Sequence, residues 1–417
     1  MTREKFTDMR QGTDSRPAPA PAPDPARPLR IAYLCDISPL DRNLYSGGNA
    51  RIHDALRRHA GEVTILPVTW GMAEPARRLI HALPEVANLR MRWRTHLALS
   101  RLTGAAVRRA LARDRYDVLF CAYAFQSLAN VVPPYPLVTA FTSDATHGIY
   151  RDSEIGQRFR SRRSGRLLDG WTEWHERRVY RSADLLLWPS DWIKSEAESR
   201  YALDGDRSHL VPWGANIEAP PTRTLPPRIG RDLPLKLLFV GRNWWAKGGP
   251  VAFGTMQCLR ARGIDAHLTV IGCQPPEDHC GPHVTVHRQL DKAVPEELTR
   301  FARILATTHF TVMPSYESYG FAFCEASAYG VPSLCLRVGG VPVRDGLNGH
   351  ALPPGADPEA YAALVQGYLD DPAAYRKLCQ STRREYEERL NWDRWGQETA
   401  RLLHEATARK AAGPRPA

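Results

Sequence analysis

The chain has 417 residues, of which 43% are apolar and 24% charged. That composition is typical of a soluble globular protein, and the length exceeds one usual core, so it predicts two domains. No apolar run reaches the roughly 18 residues that a membrane-spanning helix needs, and the mixed-charge N-terminus lacks the apolar centre of a secretory signal. Eight cysteines without a repeated spacing favour reduced thiols, so we expect a cytoplasmic protein.

The net charge of +11 is concentrated in the N-terminal half. Ten arginines but only two acidic residues lie between Arg77 and Arg115, and "RFRSRRSGR" follows at 158–166. The simplest interpretation is a solvated basic face. The alternative is a surface for an acidic acceptor or for anionic lipid headgroups, which would make the protein peripheral at the inner membrane face. A nucleic-acid partner is not expected, because the chain contains no recognised nucleic-acid module.

The first half of the chain alternates strand and helix patterns. Residues 1–28 end in the tract "PAPAPAPDPARP", which predicts a disordered leader. From Leu29 the runs "LRIAYLCDI", "EVTILPV", "YDVLFCAYAF", "YPLVTAFTSD" and "ADLLLW" predict strands, and helical segments lie between them, beginning with "YSGGNARIHDALRRHA". This alternation predicts a parallel sheet wrapped by helices, so residues 29–217 form a Rossmann-like N-terminal domain.

The second half repeats the pattern after a proline-rich linker at 218–234. The strands are predicted at "KLLFVGRN", "AHLTVIG", "HVTVHRQL", "HFTVMPS" and "PSLCLR", with a helix near Val251 to Gly263. Residues 235–390 therefore form a second Rossmann-like domain, and 391–417 a crossing helix and tail. The predicted fold is α/β, with two Rossmann-like domains facing across a cleft and a C-terminal helix that crosses back to the first. Ligands of such sheets bind at the carboxyl ends of the strands.

The segment "PSYESYGFAFCEASAYGVP" at 314–332 places Glu317 in a loop after a strand and Glu325 about one turn into a helix. The amides of Tyr319, Gly320 and Phe321 begin that helix and form an anion site. Carboxylates on both sides of a phosphate site suit the hydroxyl groups on both sides of a diphosphate, as in a sugar nucleotide. Without that ligand we expect both carboxylates to be only partly satisfied, or hydrated. The alternative is a structural pair, one capping the helix and one bound to an arginine.

A second motif, "FVGRNWWAKGGP", carries Gly241, Arg242 and Lys247 at the end of a strand. Two cations that converge there would neutralise a diphosphate leaving group as its bond to the sugar breaks. The alternative is a solvent-exposed pair of cations.

These motifs, together with "DGLNG", resemble the nucleotide-sugar domain of the retaining group 1 (family 4) glycosyltransferases, which have the GT-B fold. The resemblance extends from Leu29 to Arg409 and is most specific from Lys236 to Gly349. It implies transfer of a hexose from a nucleoside-diphosphate sugar to a hydroxyl acceptor (a glycan, a lipid-linked or a small molecule), with retention, as in cell-envelope polysaccharide synthesis. The N-terminal domain would bind the acceptor. No metal and no other cofactor is implied.

The resemblance also implies roles for individual residues. Glu317 would contact the hydroxyl groups of the donor sugar, Glu325 the ribose, and Arg242 with Lys247 the diphosphate. The predicted catalytic residues are Arg242, Lys247, Glu317 and Asp144. The predicted donor-binding residues are Gly48, Asn216, Gly241, Tyr319, Gly320, Phe321 and Glu325. Asn216 belongs to "VPWGANI", which matches the final strand of the family's first domain.

The chain departs from the family pattern in two places. Where members often have a histidine, it has Thr142, Ser143 and Asp144. Asp144 then lines the acceptor side or caps a helix, and His147 either replaces that histidine or is an ordinary loop residue. In the second place, "GGVPVRDG", Val343 stands where members often have glutamate. Donor contacts there would come from the backbone amides of Gly339 and Gly340.

Two other functions stay open at this point. A nucleotide-sugar epimerase would need acid and base groups around the sugar, and a non-catalytic glycosyltransferase-like protein would bind without turnover. The run "CQPPEDHCGPH" contains two cysteines and two histidines, but its spacing fits no standard zinc site.

Overall fold

The computed structural model describes residues 27–36, 38–42, 44–66, 74–81, 93–152, 164–218 and 227–413. Residues 1–26 of the predicted leader, most of "RFRSRRSGR" and the middle of the predicted linker lie outside these ranges. The linker and domain boundaries stay predictions.

The first domain is built on a six-stranded parallel sheet with the order β2-β1-β3-β4-β5-β6. All five residues of the third strand are buried, which explains its continuous apolar run. The strands are β1 (Leu29–Leu34), β2 (Gly61–Ile65), β3 (Val118–Ala122), β4 (Val138–Thr142), β5 (Leu185–Trp188) and β6 (Ser208–Leu210). The helices are α1 (Gly48–His59), α2 (Glu74–His81), α3 (Ser100–Ala112), α4 (Phe125–Leu128), α5 (His147–Asp152), α6 (Ser164–Ser182) and α7 (Asp191–Tyr201).

The second domain repeats this architecture with the order β12-β11-β10-β7-β8-β9. Its order reverses between β7 and β10, where ligands of doubly wound sheets bind. The strands are β7 (Leu235–Val240), β8 (Ala266–Ile271), β9 (Val284–His287), β10 (Phe310–Met313), β11 (Ser333–Leu336) and β12 (Gly349–Leu352). The helices are α8 (Gly249–Ala261), α9 (Pro295–Thr307), α10 (Phe321–Ala328), α11 (Pro358–Asp370), α12 (Pro372–Glu388) and α13 (Trp392–Ala411). Short 3₁₀ turns occur at Leu44–Gly47, Gly205–Arg207 and Glu277–His279.

Helix α13 crosses back to the first domain, as predicted. Its N-cap is Asn391, whose side chain accepts a hydrogen bond from the Arg394 N–H. Its buried residues, including Trp395, join a core cluster with strands of the first sheet and with Tyr319 and Cys324 of the second domain. This shared apolar cluster fixes the two domains against each other. Within the described ranges, no helix is both long and apolar enough to cross a membrane.

The predicted strand at "VPWGANI" is wrong. The last strand of the first sheet is β6, which ends at Leu210, and 211–217 has no strand structure. The segment instead turns toward α13, where the Ala215 N–H donates to the Leu390 carbonyl at 3.0 Å. The edge strand β12 begins at Gly349, the last residue of "DGLNG", and the sequence analysis had not assigned it as a strand.

Candidate active site

A cavity of about 580 Å³ lies between the carboxyl ends of the two sheets. Both domains contribute to its wall. Of the eleven predicted catalytic and donor-binding residues, eight line it: Asp144, Gly241, Arg242, Lys247, Glu317, Gly320, Phe321 and Glu325. The motif that contains Arg242 and Lys247 and the motif that contains Glu317 and Glu325 therefore line the same cleft.

Glu317 lies in the loop between β10 and α10 and is held by two groups. The Lys247 Nζ donates to Glu317 Oε1 at 2.6 Å, and Ser315 Oγ donates to the same oxygen at 2.7 Å. Lys247 follows β7, so the pair joins the ends of two neighbouring strands. The side chains are 34% and 18% exposed, respectively, which leaves both open to a ligand in the cavity.

Glu325 lies on the inner face of α10 and is only 1% exposed. Its carboxylate is ion-paired with Lys292, a residue that the sequence analysis did not single out. Lys292 lies in the loop after β9, and its ammonium group is also 4.7 Å from the centre of the Phe301 ring. A buried carboxylate requires such a partner.

As expected without a donor, both carboxylates are only partly satisfied, because each is held through Oε1 and neither Oε2 has a hydrogen-bond partner among the described residues. Each glutamate is paired with a lysine from a different strand end, Glu317 with Lys247 and Glu325 with Lys292. The predicted structural alternative paired one of these carboxylates with an arginine. The described residues instead show a lysine partner for each. The cavity thus presents two lysine–glutamate pairs, both on its second-domain wall.

The N-terminus of α10 faces the cavity between these pairs. Its N-cap is Gly320, whose φ of +89° is a left-handed conformation that favours glycine. Gly320, Phe321 and Ala322 all line the cavity. The first amides of a helix have no intrahelical acceptor and carry partial positive charge, so this end suits an anion.

Arg242 is an exposed residue on the cavity wall, and among the described residues no hydrogen bond or ion pair holds it. Its guanidinium group can therefore turn toward a ligand at little cost. The neighbouring Gly241 is needed for packing, because an added Cβ would lie 2.9 Å from the Lys247 Cβ. Glycine at this position lets the Lys247 stem cross the end of β7.

Asp144 faces the second domain. Ser318 Oγ donates to Asp144 Oδ2 at 2.6 Å, which links the loop after β4 to the loop after β10. Burial, with a smaller contribution from the negative charge of Glu317, raises the pKa of Asp144. The predicted helix-cap alternative does not hold, since Thr146 Oγ1 accepts the Ile149 N–H at the start of α5.

His147 also lines the cavity, on its first-domain side. The side chain is 7% exposed, and neither ring nitrogen has a hydrogen-bond partner in the described structure. Burial lowers the pKa of His147 to about 4, so the ring is neutral at physiological pH. Tyr123 lies nearby with a φ of +65°, and its buried hydroxyl group likewise lacks a partner among the described residues.

Three predicted donor-binding residues do not line the cavity. Asn216 holds the Leu44–Gly47 turn, since its Nδ2 donates to the Ser46 carbonyl at 2.6 Å. The Tyr319 hydroxyl donates to the Trp213 carbonyl at 2.6 Å in the core between the domains. An added Cβ on Gly48 would lie 2.4 Å from Tyr123 Oη and 2.6 Å from Phe321 Cζ. These contacts are structural, and the predicted donor roles of the three residues stay predictions.

In the glycine pair after β11, the Gly340 amide is already bonded within the protein. The Gly340 N–H donates to the Glu317 carbonyl at 3.0 Å, and Gly339 forms a bridge with the same residue. Neither glycine lines the cavity. The pair fixes the loop that carries Glu317, and the expected donor contacts of these two amides stay a prediction.

The structure adds several cavity residues that the sequence analysis did not single out. Among them are Asp36, Tyr45, Trp93, Gln126 and Lys292. Asp36 lies two residues after β1 and Lys292 lies in the loop after β9, a position that could have found them, whereas the helical or turn positions of the others gave no such signal.

Among the described residues, one group of three side chains, Asp265, His267 and His283, places its polar atoms close enough together to hold a metal ion. None of the three lines the cavity. In the cysteine-containing run, His279 instead accepts a hydrogen bond from Trp244 Nε1 at 3.1 Å. The described part of the cavity wall thus contains lysine–glutamate pairs, and the Asp265–His267–His283 group lies outside it.

Comparison with known proteins gives a consistent result. Residues 234–371 match the family model described as glycosyl transferases group 1, and residues 49–219 match the model described as glycosyltransferase family 4. A D-inositol 3-phosphate glycosyltransferase of Corynebacterium glutamicum (strain R) is 26% identical over 66% of this chain and 67% of its own length. A glycogen synthase of Mycobacterium tuberculosis (strain H37Rv) is 31% identical over 42% of this chain and 43% of its own.

Solved structures show the same fold. A sucrose-phosphate synthase from Thermosynechococcus elongatus superposes with a TM-score of 0.62 at 18% identity and covers 91% of this chain and 99% of its own. The lipopolysaccharide outer core galactosyltransferase WaaB gives a TM-score of 0.59 at 13% identity over 90% and 99% of the two chains. With two parallel sheets facing one cleft and family models matched in both domains, the chain belongs to the group 1 (family 4) glycosyltransferases of the GT-B fold.

Proposed function

We propose that the protein transfers a sugar from a nucleoside-diphosphate sugar to a hydroxyl acceptor, with retention of anomeric configuration and without a metal ion. The observation that carries this proposal is the cluster of cationic groups around the α10 N-terminus. Lys247, Lys292 and Arg242 line one cavity together with the first amides of that helix. Such a cluster suits a diphosphate.

The carboxylates in the same wall suit the two ends of the donor. Glu317 lies beside Lys247 and lines the cavity, where it would contact the sugar. Glu325 lies beside Lys292, where the ribose would lie. When a donor binds, each lysine ammonium group would donate a hydrogen bond to a phosphate oxygen. Each glutamate carboxylate would accept hydrogen bonds from sugar hydroxyl groups.

The chemistry then follows from position. As the bond from the anomeric carbon to the diphosphate oxygen breaks, negative charge grows on the diphosphate. Arg242, Lys247 and the α10 amides stabilise that charge in a partly desolvated cleft. The acceptor oxygen forms its bond to the same face of the sugar, and its proton leaves with the diphosphate. No residue of the chain has to carry the sugar covalently.

The open alternatives have less support. An epimerase would hold acid and base groups around the sugar, but the groups nearest Glu317 are a lysine and a serine. A non-catalytic binding protein has no need for an unpaired arginine beside a diphosphate cluster. The relatives reported above are also named as transferases or synthases.

The test is a panel of UDP-, GDP- and ADP-sugars, with and without EDTA and with a cell-derived acceptor extract. We expect one donor to be consumed with release of its diphosphate, at the same rate in EDTA. Proton NMR of the product should show the anomeric configuration of the donor. An inverted product, or a rate that EDTA abolishes, would contradict the proposed mechanism.

Association with an anionic membrane surface stays a prediction. The exposed face of α3 carries Arg101, Arg108 and Arg109 without an acidic residue on the helix. Co-sedimentation with phosphatidylglycerol vesicles at low and high salt tests it, since attraction to such a surface is screened by salt. Absence of pelleting at low salt would rule the association out.

A further inference from the structure

A group of three side chains at one edge of the second sheet takes no part in the proposed donor chemistry. Asp265, His267 and His283 each place one possible ligand atom within 4.8 Å of those of the other two. Asp265 directly precedes β8 and His283 directly precedes β9, so the group lies at the amino ends of these strands. The cavity lies at the carboxyl ends, and none of the three residues lines it. Anything bound by this group is therefore separate from the donor.

The pairing of β8 with β9 explains why the three side chains meet. The parallel register of the two strands sets His267 opposite His283, and the two ring centres are 5.3 Å apart. Asp265 stands two positions before His267, and its carbonyl accepts from the Leu235 N–H at 2.9 Å as a continuation of the sheet. Residues two apart along a strand point to the same face. All three side chains therefore share one face, beside the edge strand β9.

The distances within the group are close to those around a bound metal ion. His267 Nε2 lies 3.0 Å from Asp265 Oδ1. Two ligand atoms of a tetrahedral Zn²⁺ ion lie about 3.4 Å apart, because each bond to the ion is about 2.0–2.1 Å long. The Asp265–His267 pair thus has to separate only slightly, and side-chain rotation can bring in His283 from within 4.8 Å.

The ligand atoms determine the class of metal. Two imidazole nitrogens and one carboxylate oxygen suit Zn²⁺ and the neighbouring transition metals, whereas Mg²⁺ and Ca²⁺ prefer oxygen ligands alone. The side chains of Asp265 and His267 are 52% and 39% exposed, so an ion can reach them from the solvent. Three protein ligands leave a fourth position, which a water molecule would fill.

Two cations beside the group lower its affinity for a metal ion. Arg260 Nη1 lies 3.0 Å from Asp265 Oδ1, and the exposed Lys236 stands opposite His267 on β7. A metal ion has to share the carboxylate with Arg260 or displace it. Exposed ion pairs are weak, so the guanidinium group can give way. Removal of Arg260 should therefore strengthen metal binding.

We propose that Asp265, His267 and His283 bind one Zn²⁺ ion, which joins β8 to the edge strand β9. The ion holds the start of β9, where the chain leaves the cysteine-containing run "CQPPEDHCGPH". It stabilises the second domain and takes no part in sugar transfer, so the reaction proposed above stays independent of metal. The inference goes beyond the proposed function and does not depend on it.

The experiment uses the full-length chain after dialysis against EDTA and measures Zn²⁺ binding by competition with a chelating dye. We expect one Zn²⁺ ion per chain and a higher unfolding temperature with Zn²⁺ than without it, because an ion that binds only the folded chain stabilises it. Mg²⁺ should have neither effect. Asp265→Ala, His267→Ala and His283→Ala should each weaken Zn²⁺ binding at least about tenfold, since even the loss of a group that only orients a metal ligand costs that much.

Two variants serve as controls and should bind Zn²⁺ as the wild type does. They are His404→Ala on α13 and Cys280→Ser, which removes the exposed thiol of the cysteine-containing run. Arg260→Ala should bind about two- to fivefold more tightly, and no gain would show that Asp265 is not a ligand. Equal Zn²⁺ affinities of His404→Ala and the three ligand variants, or a loss in Cys280→Ser instead, would overturn the site.

Discussion

The Lys247 Nζ lies 2.6 Å from Glu317 Oε1, so a cation from the loop after β7 meets a carboxylate from the loop after β10 in the wall of the cavity. This one contact joins the two motifs that carry the proposed chemistry. The pair is also partly exposed, and ion pairs of that kind contribute only about 0–1 kcal/mol to stability. Its effect on activity can therefore be separated from its effect on folding.

Lys247→Ala should reduce turnover by about 10²–10³, because it removes a group that stabilises charge on the departing diphosphate. Glu317→Gln, which keeps the shape but not the charge, should also reduce it. Steady-state rates of diphosphate release check both, and urea unfolding should show changes of no more than about 1 kcal/mol. The matched control is Lys377→Ala, an exposed lysine on α12. A Lys247→Ala rate equal to that of the control would contradict the role.

The Glu325–Lys292 pair should contribute to stability as well as to binding. Glu325 is 1% exposed, so Lys292→Met leaves a carboxylate buried without its cation, at an expected cost of about 1–3 kcal/mol. Affinity for the free nucleoside diphosphate should fall about tenfold, which is the loss of about 1.4 kcal/mol. Urea unfolding and isothermal titration measure the two effects, with Lys377→Met as the control. Unchanged values in both would mean that the pair is not formed.

Glu176 should make the free energy of unfolding depend on pH. Burial raises the pKa of Glu176 to about 7 from the ordinary 4.5, despite three hydrogen bonds that lower it. The folded protein therefore holds this proton more tightly than the unfolded chain does. The resulting stabilisation is fully present below about pH 4.5 and is lost as the pH rises toward 7, by about 3 kcal/mol in all.

Glu176→Gln cannot titrate, so the wild-type free energy of unfolding minus that of Glu176→Gln should fall by this amount between pH 4 and pH 8. Urea unfolding of both proteins at each pH gives the difference, in which the other titrating groups cancel. A difference that stays constant, or that rises with pH, would show that Glu176 is ionised throughout this range.

Gly48 should resist substitution for a packing reason. A Cβ there would lie 2.4 Å from Tyr123 Oη and 2.6 Å from Phe321 Cζ, at the contact between α1 and the start of α10. Gly48→Ala should therefore cost about 1–3 kcal/mol. In contrast, Gly170→Ala on α6, where a Cβ meets nothing within 4 Å, should stabilise the protein by about 0.5–1 kcal/mol. Thermal unfolding of both variants makes the comparison, and equal effects would contradict the contact.

The sequence predicted most of the architecture because its signals are local. Buried parallel strands are continuous apolar runs, and the loop and helix around Glu317 and Glu325 follow from Gly320 and the apolar run after it. Ten of the twelve strands were predicted in this way. The two short edge strands, β6 and β12, were not, because each has only three or four residues and mixed polarity.

The parts that the sequence could not predict depend on contacts between distant residues. Lys292 is 33 positions from its partner Glu325, and nothing near either residue indicates the pairing. The Tyr319 side chain points to Trp213, which is 106 positions away, and not to the cavity. The His147 backbone N–H donates to Glu176, which is 29 positions away. Such pairings are fixed by the packing of whole elements.

The most direct test of the account is diphosphate release by the wild type, Lys377→Ala and Lys247→Ala from the same panel of UDP-, GDP- and ADP-sugars. The account predicts one donor that the first two proteins cleave at equal rates and that Lys247→Ala cleaves about 10²–10³ times more slowly. A donor that is isomerised without diphosphate release, or a Lys247→Ala rate equal to that of the wild type, would contradict it.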